Sequence, residues 1–404
     1  MKVAFCGVFG SDNFGNEASL TAAVESLRRR VPAIDLLCIC IQPRKAEEIY
    51  QLEAVDLNLR ALGDCSGSRR MIMRCARRAG LLRVVRTVQA YRHMRGVDAL
   101  VFPGTGILDD YLLEPSGQPL DMLIWCAIAR LRRAKVMFVS VGAGPITHPR
   151  SLWFMVKAAR TATHRSFRDA ASKEFMGSHG LDVSRDRVVP DIVFSLKPES
   201  IGPFEAIKRD GLVVGVGVMD YRGWNVGGVR QTEIYRKHVE DTAAIIQSIL
   251  KRGHCVKIVL GEARDKKAAE DVLERVCAAD SIQRERCTAP AMTSFDDVFR
   301  ELQQCDLVIG TRFHTVVCAL ILGKPVVSAG YAAKNRSLLE EFGLGEYAHN
   351  LETLSPARVI EQLDELIQRR AYLRDSILRK VDSHRATIDT YMESLWDALR
   401  ATTT

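Results

Sequence analysis

Short, continuous apolar runs alternate with segments of helical periodicity along the whole chain, and no other feature narrows the fold so far. Apolar runs at residues 3–8, 34–41, 97–102 and 136–141 are separated by helical patterns such as 18–30, which stops at Pro32, and 122–133. A strand that is apolar at every position, not every second one, is buried on both faces, as in parallel sheets covered by helices. The pattern lapses over 196–204 into Lys-Pro-Glu-Ser-Ile-Gly-Pro, read as a linker, and then restarts. Strands follow at 212–218, 255–260, 306–309 and 325–329, with helices at 233–251, 266–278, 295–303 and 315–322. With 404 residues the chain is too long for one core. We expect two doubly wound α/β domains facing a cleft, residues 1–197 and 204–375, and a C-terminal helix, 376–404, packing back.

Composition removes other classes. Hydrophobic residues make up 47% and charged residues 26%, which excludes disordered, collagen-like and coiled-coil chains. A net charge of +8 suits anionic small molecules or an acidic membrane face as well as nucleic acid. The eleven cysteines form no C-x-x-C pair; an odd count in apolar surroundings reads as buried reduced thiols. The first residues, MKVAFCGVFGSDNFG, read as a strand and not a secretory signal, and no run reaches the ~18 apolar residues of a spanning helix. The expected location is cytoplasmic, at most peripheral at the inner face of the membrane.

In open α/β sheets, ligands gather at the carboxyl ends of the strands, and that is where the glycine, amide and ionic clusters fall. Gly10-Ser11-Asp12-Asn13-Phe14-Gly15-Asn16-Glu17 follows the first strand. Helix capping accounts for one of its side chains, but not for Asn13, Asn16 and Glu17 together with two glycines. Pro103-Gly104-Thr105-Gly106-Ile107-Leu108-Asp109-Asp110 is a second such turn, and Arg165-Ser166-Phe167-Arg168-Asp169 leads into a helix. Gly310-Thr311-Arg312-Phe313-His314-Thr315 closes one strand, and Tyr331-Ala332-Ala333-Lys334 follows the next. Arg, His and Lys at adjacent strand ends beside helix N-termini would hold a phosphate or carboxylate, and an imidazole there can move a proton. No cluster has metal-ligand spacing.

One segment stands apart. From Cys65 to Val97 there is no Asp or Glu and there are nine arginines. Met71, Ile72, Cys75, Leu81, Val84, Val85 and Val88 recur at roughly helical spacing. The segment reads either as an ordinary helix with a core face and an Arg-rich solvated face or as a basic amphipathic helix on an anionic membrane.

Taken in order, these clusters resemble the polysaccharide pyruvyl transferase family. Asn13-Phe14-Gly15-Asn16-Glu17 is similar to its N-x-G-D-E loop and Pro103 to Asp109 to its G-G-G-x-L-x-D turn. Gly142-Ala143-Gly144-Pro145, Arg168-Asp169-Ala170-Ala171-Ser172, Pro190-Asp191, Arg312-Phe313-His314, Gly323-Lys324-Pro325, Tyr331 and Lys334 continue the match. Asn16 stands where the family has Asp, removing a negative charge; Pro103 and Thr105 replace glycines and narrow the backbone freedom of the second turn.

The resemblance implies transfer of a pyruvyl group from phosphoenolpyruvate to a sugar of a cell-surface polysaccharide or its lipid-linked precursor, as a ketal. It implies a GT-B-like pair of Rossmann-like domains, with the acceptor on the N-terminal one and phosphoenolpyruvate on the C-terminal one. His314, Glu17 and Asn13 are then the candidate catalytic residues. Arg168, Arg312, Lys334, Gly104, Gly106, Asp109 and Asn16 are the candidate substrate contacts. Neither cofactor nor metal is expected, since a trianion can be held by cations alone, and nucleic acid is not expected as a partner. Two alternatives remain open. One is a nucleotide-sugar glycosyltransferase of the same fold, with Glu262 or Asp265 on a ribose; the other is a non-catalytic carbohydrate-binding subunit, for which Arg312, His314 and Lys334 need not have been kept.

Overall fold

In the computed structural model, which describes residues 1–59, 81–197, 211–224, 228–277 and 283–401, every strand pairing is parallel. The chain divides into two units. Met1–Ser11, Ser19–Ile192 and Asp389–Thr404 form the first; Asp12–Ala18 and Val193–Ile388 form the second.

The first unit carries β1 (Lys2–Cys6), β2 (Asp35–Cys40), β3 (Glu53–Asp56), β4 (Ala99–Pro103), β5 (Lys135–Val141), β6 (His164–Phe167) and β7 (Arg187–Val188) in the order β3-β2-β1-β4-β5-β6-β7. The order reverses between β1 and β4, and the first two glycine-rich motifs follow these two strands. Helices α1 (Phe14–Arg30), α2 (Pro43–Tyr50), α3 (Leu81–His93), α4 (Gln118–Leu131), α5 (Pro149–Arg160) and α6 (Ala170–Ser178) connect them. Central strands are buried at nearly every residue. Phe102 and Phe138 stack with ring centroids 4.5 Å apart in the core.

The second unit repeats the plan with β8 (Val213–Val218), β9 (Cys255–Leu260), β10 (Cys287–Thr288), β11 (Leu307–Gly310), β12 (Val326–Gly330) and β13 (Ala348–Asn350), ordered β10-β9-β8-β11-β12-β13. Its helices are α7 (Val229–Lys251), α8 (Lys266–Cys277), α9 (Gln283–Arg286), α10 (Phe295–Gln303), α11 (Phe313–Ile321), α12 (Ala333–Glu341) and α13 (Pro356–Arg400). The α11 sequence, FHTVVCALI, is apolar nearly all round and is buried at eight positions, as a helix must be when both its sides are covered. The last turns of α13 belong to the first unit, where Trp396 is buried and its Nε1 donates to Ser26 Oγ over 3.2 Å.

Two helices begin earlier than the sequence pattern indicates. α1 starts at Phe14, not residue 18, because Asn13 Oδ1 accepts from Asn16 N at 3.2 Å and supplies the missing cap. Gly15 inside this first turn costs only about 1 kcal/mol in helix propensity. α11 starts at Phe313, so His314 is helical. The strands that the sequence pattern does not reveal are two to four residues long, and β6 and β7, HRSF and RV, are largely polar. The described cysteines are free thiols, and burial pushes the Cys126 thiol up to about 12. Residues 198–204 of the proposed linker and 65–80 of the arginine-rich segment lie outside the described residues. No described helix is long and apolar enough to cross a membrane.

A buried histidine makes the second unit sensitive to acid. His384 sits edge-on to Phe194 and Phe342, and burial, with Lys380 adding to it, lowers its pKa from 6.5 to about 4. Below 6.5 the unfolded chain takes up a proton that the folded state refuses, so stability falls as pH drops from about 6.5 toward about 4. Glu341, 3.6 Å from Nε2 but partly exposed, offers only weak compensation. We expect His384→Phe to flatten this dependence, read as the difference in urea midpoint between about pH 7.5 and about pH 5. An unchanged difference would mean that His384 titrates normally.

Candidate functional site

The second unit is organised around one buried carboxylate. Asp265 is fully buried in the turn between β9 and α8. It accepts four hydrogen bonds, from Asp220 N (3.0 Å), Glu262 N (3.2 Å), Arg312 Nε (3.0 Å) and Arg312 Nη2 (2.6 Å). Asp220 follows β8, Glu262 follows β9 and Arg312 follows β11, so one side chain ties three strand ends. Arg312 is itself buried, and Glu262 approaches its Nη2 to 2.9 Å. Burial acts to depress the Arg312 pKa, but Asp265 and Glu262 outweigh it and hold the guanidinium above its ordinary value.

The motif at residues 12–18 joins this cluster although about 300 residues separate it from Arg312 in sequence. Phe14 N donates to Gly261 O (3.2 Å) and Ala263 N to Asp12 O (3.1 Å), making a short bridge between Asn13 and Glu262. The Asn13 amide donates to the Glu262 carboxylate, which also takes Arg264 Nε. Gly15 lies directly against the His314 ring, and any Cβ there would overlap Nδ1 and Cγ. Gly261 is constrained in the same way, since its Cβ would come within 2.6 Å of Arg312 Cγ. Asn16 and Glu17 fall in the first turn of α1. Lys334 is in the first turn of α12, its Nζ 5.4 Å from the Tyr331 ring centroid, and Tyr331 stacks on Tyr221 at 5.5 Å. The structure therefore brings Asn13, Asn16, Glu17, Arg312, His314 and Lys334 into one unit.

Arg168, Gly104, Gly106 and Asp109 lie in the other unit, where they form a cluster of their own. Arg168 is buried, with Nη1 3.3 Å from Asp191 and Nε 3.6 Å from Asp169. A Cβ on Gly142 would be 2.5 Å from its Cζ. Asp169 caps α6 by accepting from Ser172 N (2.6 Å), and Ser172 Oγ accepts from Ala143 N (3.0 Å). The second glycine-rich turn is sewn to the same place: Gly104 N donates to Val139 O, Gly142 N to Thr105 O and Gly144 N to Leu108 O, at 2.7–2.8 Å. Gly104 needs its glycine, with φ at 60°. Asp109 accepts from Tyr111 N (3.2 Å), and its neighbour Asp110, the last residue of the second glycine-rich cluster, holds Thr147 N and His148 N at 2.8 Å. Arg-Asp-x-x-Ser is thus a helix cap and a turn support with one buried guanidinium attached.

Asp265 and Glu262 came from the sequence only as carboxylates for a nucleotide ribose. Their attachment to Arg312 was not readable, although a glycine followed by two carboxylates at an apolar strand end (Gly261 to Asp265) was a signal. Among the described residues no group of three or more His, Cys, Asp or Glu is placed to hold a metal ion.

Two doubly wound parallel units of this kind define the Rossmann-like GT-B class. Solved structures agree on the fold. Anabaena HepE in complex with UDP-glucose covers 98% of this chain and all of its own, with 13% identity and a TM-score of 0.61. A putative UDP-N-acetylglucosamine 2-epimerase from Listeria monocytogenes covers 97% of both chains, with 10% identity and a TM-score of 0.62. The family model for polysaccharide pyruvyl transferase matches residues 13–332. The chain belongs to the polysaccharide pyruvyl transferase family, a family of transferases. It is also 23% identical over 144 residues to the amylovoran biosynthesis protein AmsJ of Erwinia amylovora, a match spanning 35% of each protein.

Removing the Asp265 carboxylate should strand a buried charge. We expect Asp265→Ala to cost about 3–5 kcal/mol in urea unfolding. The double variant Asp265→Ala/Arg312→Met should recover part of that loss, because no uncompensated guanidinium remains. A single-variant cost below about 1 kcal/mol would mean that solvent reaches the pair.

Proposed function

We propose that this protein transfers a pyruvyl group from phosphoenolpyruvate to a saccharide during assembly of an exopolysaccharide, leaving a pyruvate ketal. The observation that carries this reading is the meeting of two distant family motifs in the second unit, with Gly15 against His314 and Asn13 bonded through Glu262 to Arg312. Its biological setting rests on family membership and on the likeness to an amylovoran biosynthesis protein.

The chemistry balances with protons alone. Protonation of the phosphoenolpyruvate methylene makes it a methyl group and leaves cationic character on the central carbon, where one sugar hydroxyl adds. A second hydroxyl of the acceptor then displaces inorganic phosphate, and the two hydroxyl protons account for the methyl hydrogen and the phosphate proton. His314 is assigned the proton donated to the methylene, and Glu17 the proton taken from the hydroxyl. Lys334 and the N-terminal turns of α11 and α12 supply positive potential for carboxylate and phosphate, while Arg312, already neutralised by Asp265 and Glu262, holds the strand ends that position them. Asn13, whose amide already caps α1 and binds Glu262, orients the loop. The Gly104–Asp109 turn is assigned to the saccharide.

A nucleotide sugar suits this chain less well. The carboxylate that would bind a ribose hydroxyl is Asp265 or Glu262. Asp265 already accepts four hydrogen bonds, about as many as a carboxylate can take. Glu262 is shared among Asn13, Arg264 and Arg312.

The test is to offer phosphoenolpyruvate and UDP-sugars with a panel of saccharide acceptors and follow release of phosphate or UDP. Phosphate release dependent on acceptor supports the proposal, and UDP release replaces it with glycosyl transfer. In the same assay His314→Ala should lower turnover about 10²–10⁴-fold with little change in unfolding midpoint. Lys334→Ala should raise the KM for phosphoenolpyruvate more than that for acceptor. Near wild-type turnover without His314 would remove it from the chemistry.

A further inference from the structure

Helix α3 of the first unit turns apolar side chains outward. Leu82 and Ala90 are buried, while Val84 is 59% exposed, Val85 and Val88 are 47% exposed and Tyr91 is 37% exposed. With 3.6 residues per turn, Val84, Val88 and Tyr91 follow one another along a stripe opposite the buried side. The sequence pattern leaves Val84, Val85 and Val88 either on a core face or on the apolar face of a membrane-lying helix.

The stripe continues onto the end of α4. Leu131 is 71% exposed, and the next residue, Arg132, is fastened to α3. Its guanidinium lies 3.6 Å from the Tyr91 ring centroid, and its Nε donates to Tyr91 O at 2.9 Å. Around these side chains Arg92, His93, Arg95, Arg130 and Arg133 are exposed. No acidic residue occurs in 81–97 or 122–133; Asp121, just before, is buried and paired with Arg83 at 3.0 Å.

We propose that this face docks the protein onto an anionic lipid surface. The valines, Tyr91 and Leu131 enter the boundary between headgroups and acyl chains, and the arginines meet lipid phosphates. The charge selects this occupant: a second copy of the same patch would set like charges against each other. An ordinary solvated helix face would turn the valines inward, whereas α3 carries them outward beside its exposed arginine. The inference does not depend on the reaction proposed above, so neither result decides the other.

The experiment is co-sedimentation of the full chain with phosphatidylcholine vesicles, with and without about 30 mol% phosphatidylglycerol. Wild type should sediment with the anionic vesicles and be released as salt rises from about 0.05 to about 0.5 M. The variant Val84→Ser/Val88→Ser/Leu131→Ser should bind at least about tenfold more weakly. Arg92→Ser/Arg130→Ser should lose the preference for anionic lipid, and both variants should keep the wild-type unfolding midpoint because the substituted side chains are exposed. Three results would overturn the proposal: no sedimentation of wild type at low salt, equal binding by the triple-serine variant, or a wild-type self-association abolished by the serines without any vesicle binding. The last would make the face an interface between copies.

Discussion

An arginine taken out of water must be neutralised where it stands, and the second unit is arranged around that requirement. Desolvating a guanidinium costs several kcal/mol, repaid only by close, well-oriented carboxylates. Arg312 has two of them, Asp265 in a bidentate pair and Glu262 beside it. Because both carboxylates follow β9, Arg312 follows β11 and Asp265 also accepts from Asp220 N after β8, satisfying the charge also fixes how the ends of β8, β9 and β11 are spaced. Glu262 passes the constraint on to Asn13 and hence to the start of α1. His314, two residues beyond Arg312, inherits a fixed position in the first turn of α11.

The first unit reaches a similar solution with different residues. Arg168 follows β6, is buried, and meets Asp191 and Asp169. In both units the guanidinium lies against a glycine at the end of another strand, Gly142 in one and Gly261 in the other. A side chain at either glycine would occupy the volume of the arginine. Their role is space, and neither is called on for unusual backbone torsion. Gly142 and Gly261 are accordingly clearances for buried ion pairs.

The two units differ in what they show to solvent. Buried charge in the second unit is matched by carboxylates, whereas the first unit leaves an outward stripe of valines on α3 among exposed basic side chains. A surface of that kind is stable in water only because single exposed apolar residues cost little. Gathered on one helix face beside arginines, they form a surface complementary to lipid.

The sequence by itself determined the class of fold and the main elements. Short runs that are apolar at every position and alternate with helical segments read as doubly covered parallel strands, and that rule needs no partner to be known. It also placed the motifs at strand ends, where Asn13, Arg168, Arg312, His314 and Lys334 are all found. What only the tertiary structure decided is who meets whom. Asp265 and Glu262 were legible as acidic residues after a strand, but not as the partners of Arg312, because an ion pair between residues 47 apart leaves no periodic trace. The membership of residues 12–18 in the second unit was equally hidden, since it depends on backbone hydrogen bonds to Gly261 and Ala263. The outward turn of Val84 and Val88 was undecided for the same reason: helical spacing reveals that a face is apolar, and only the packing of Leu82 and Ala90 reveals which face the core takes.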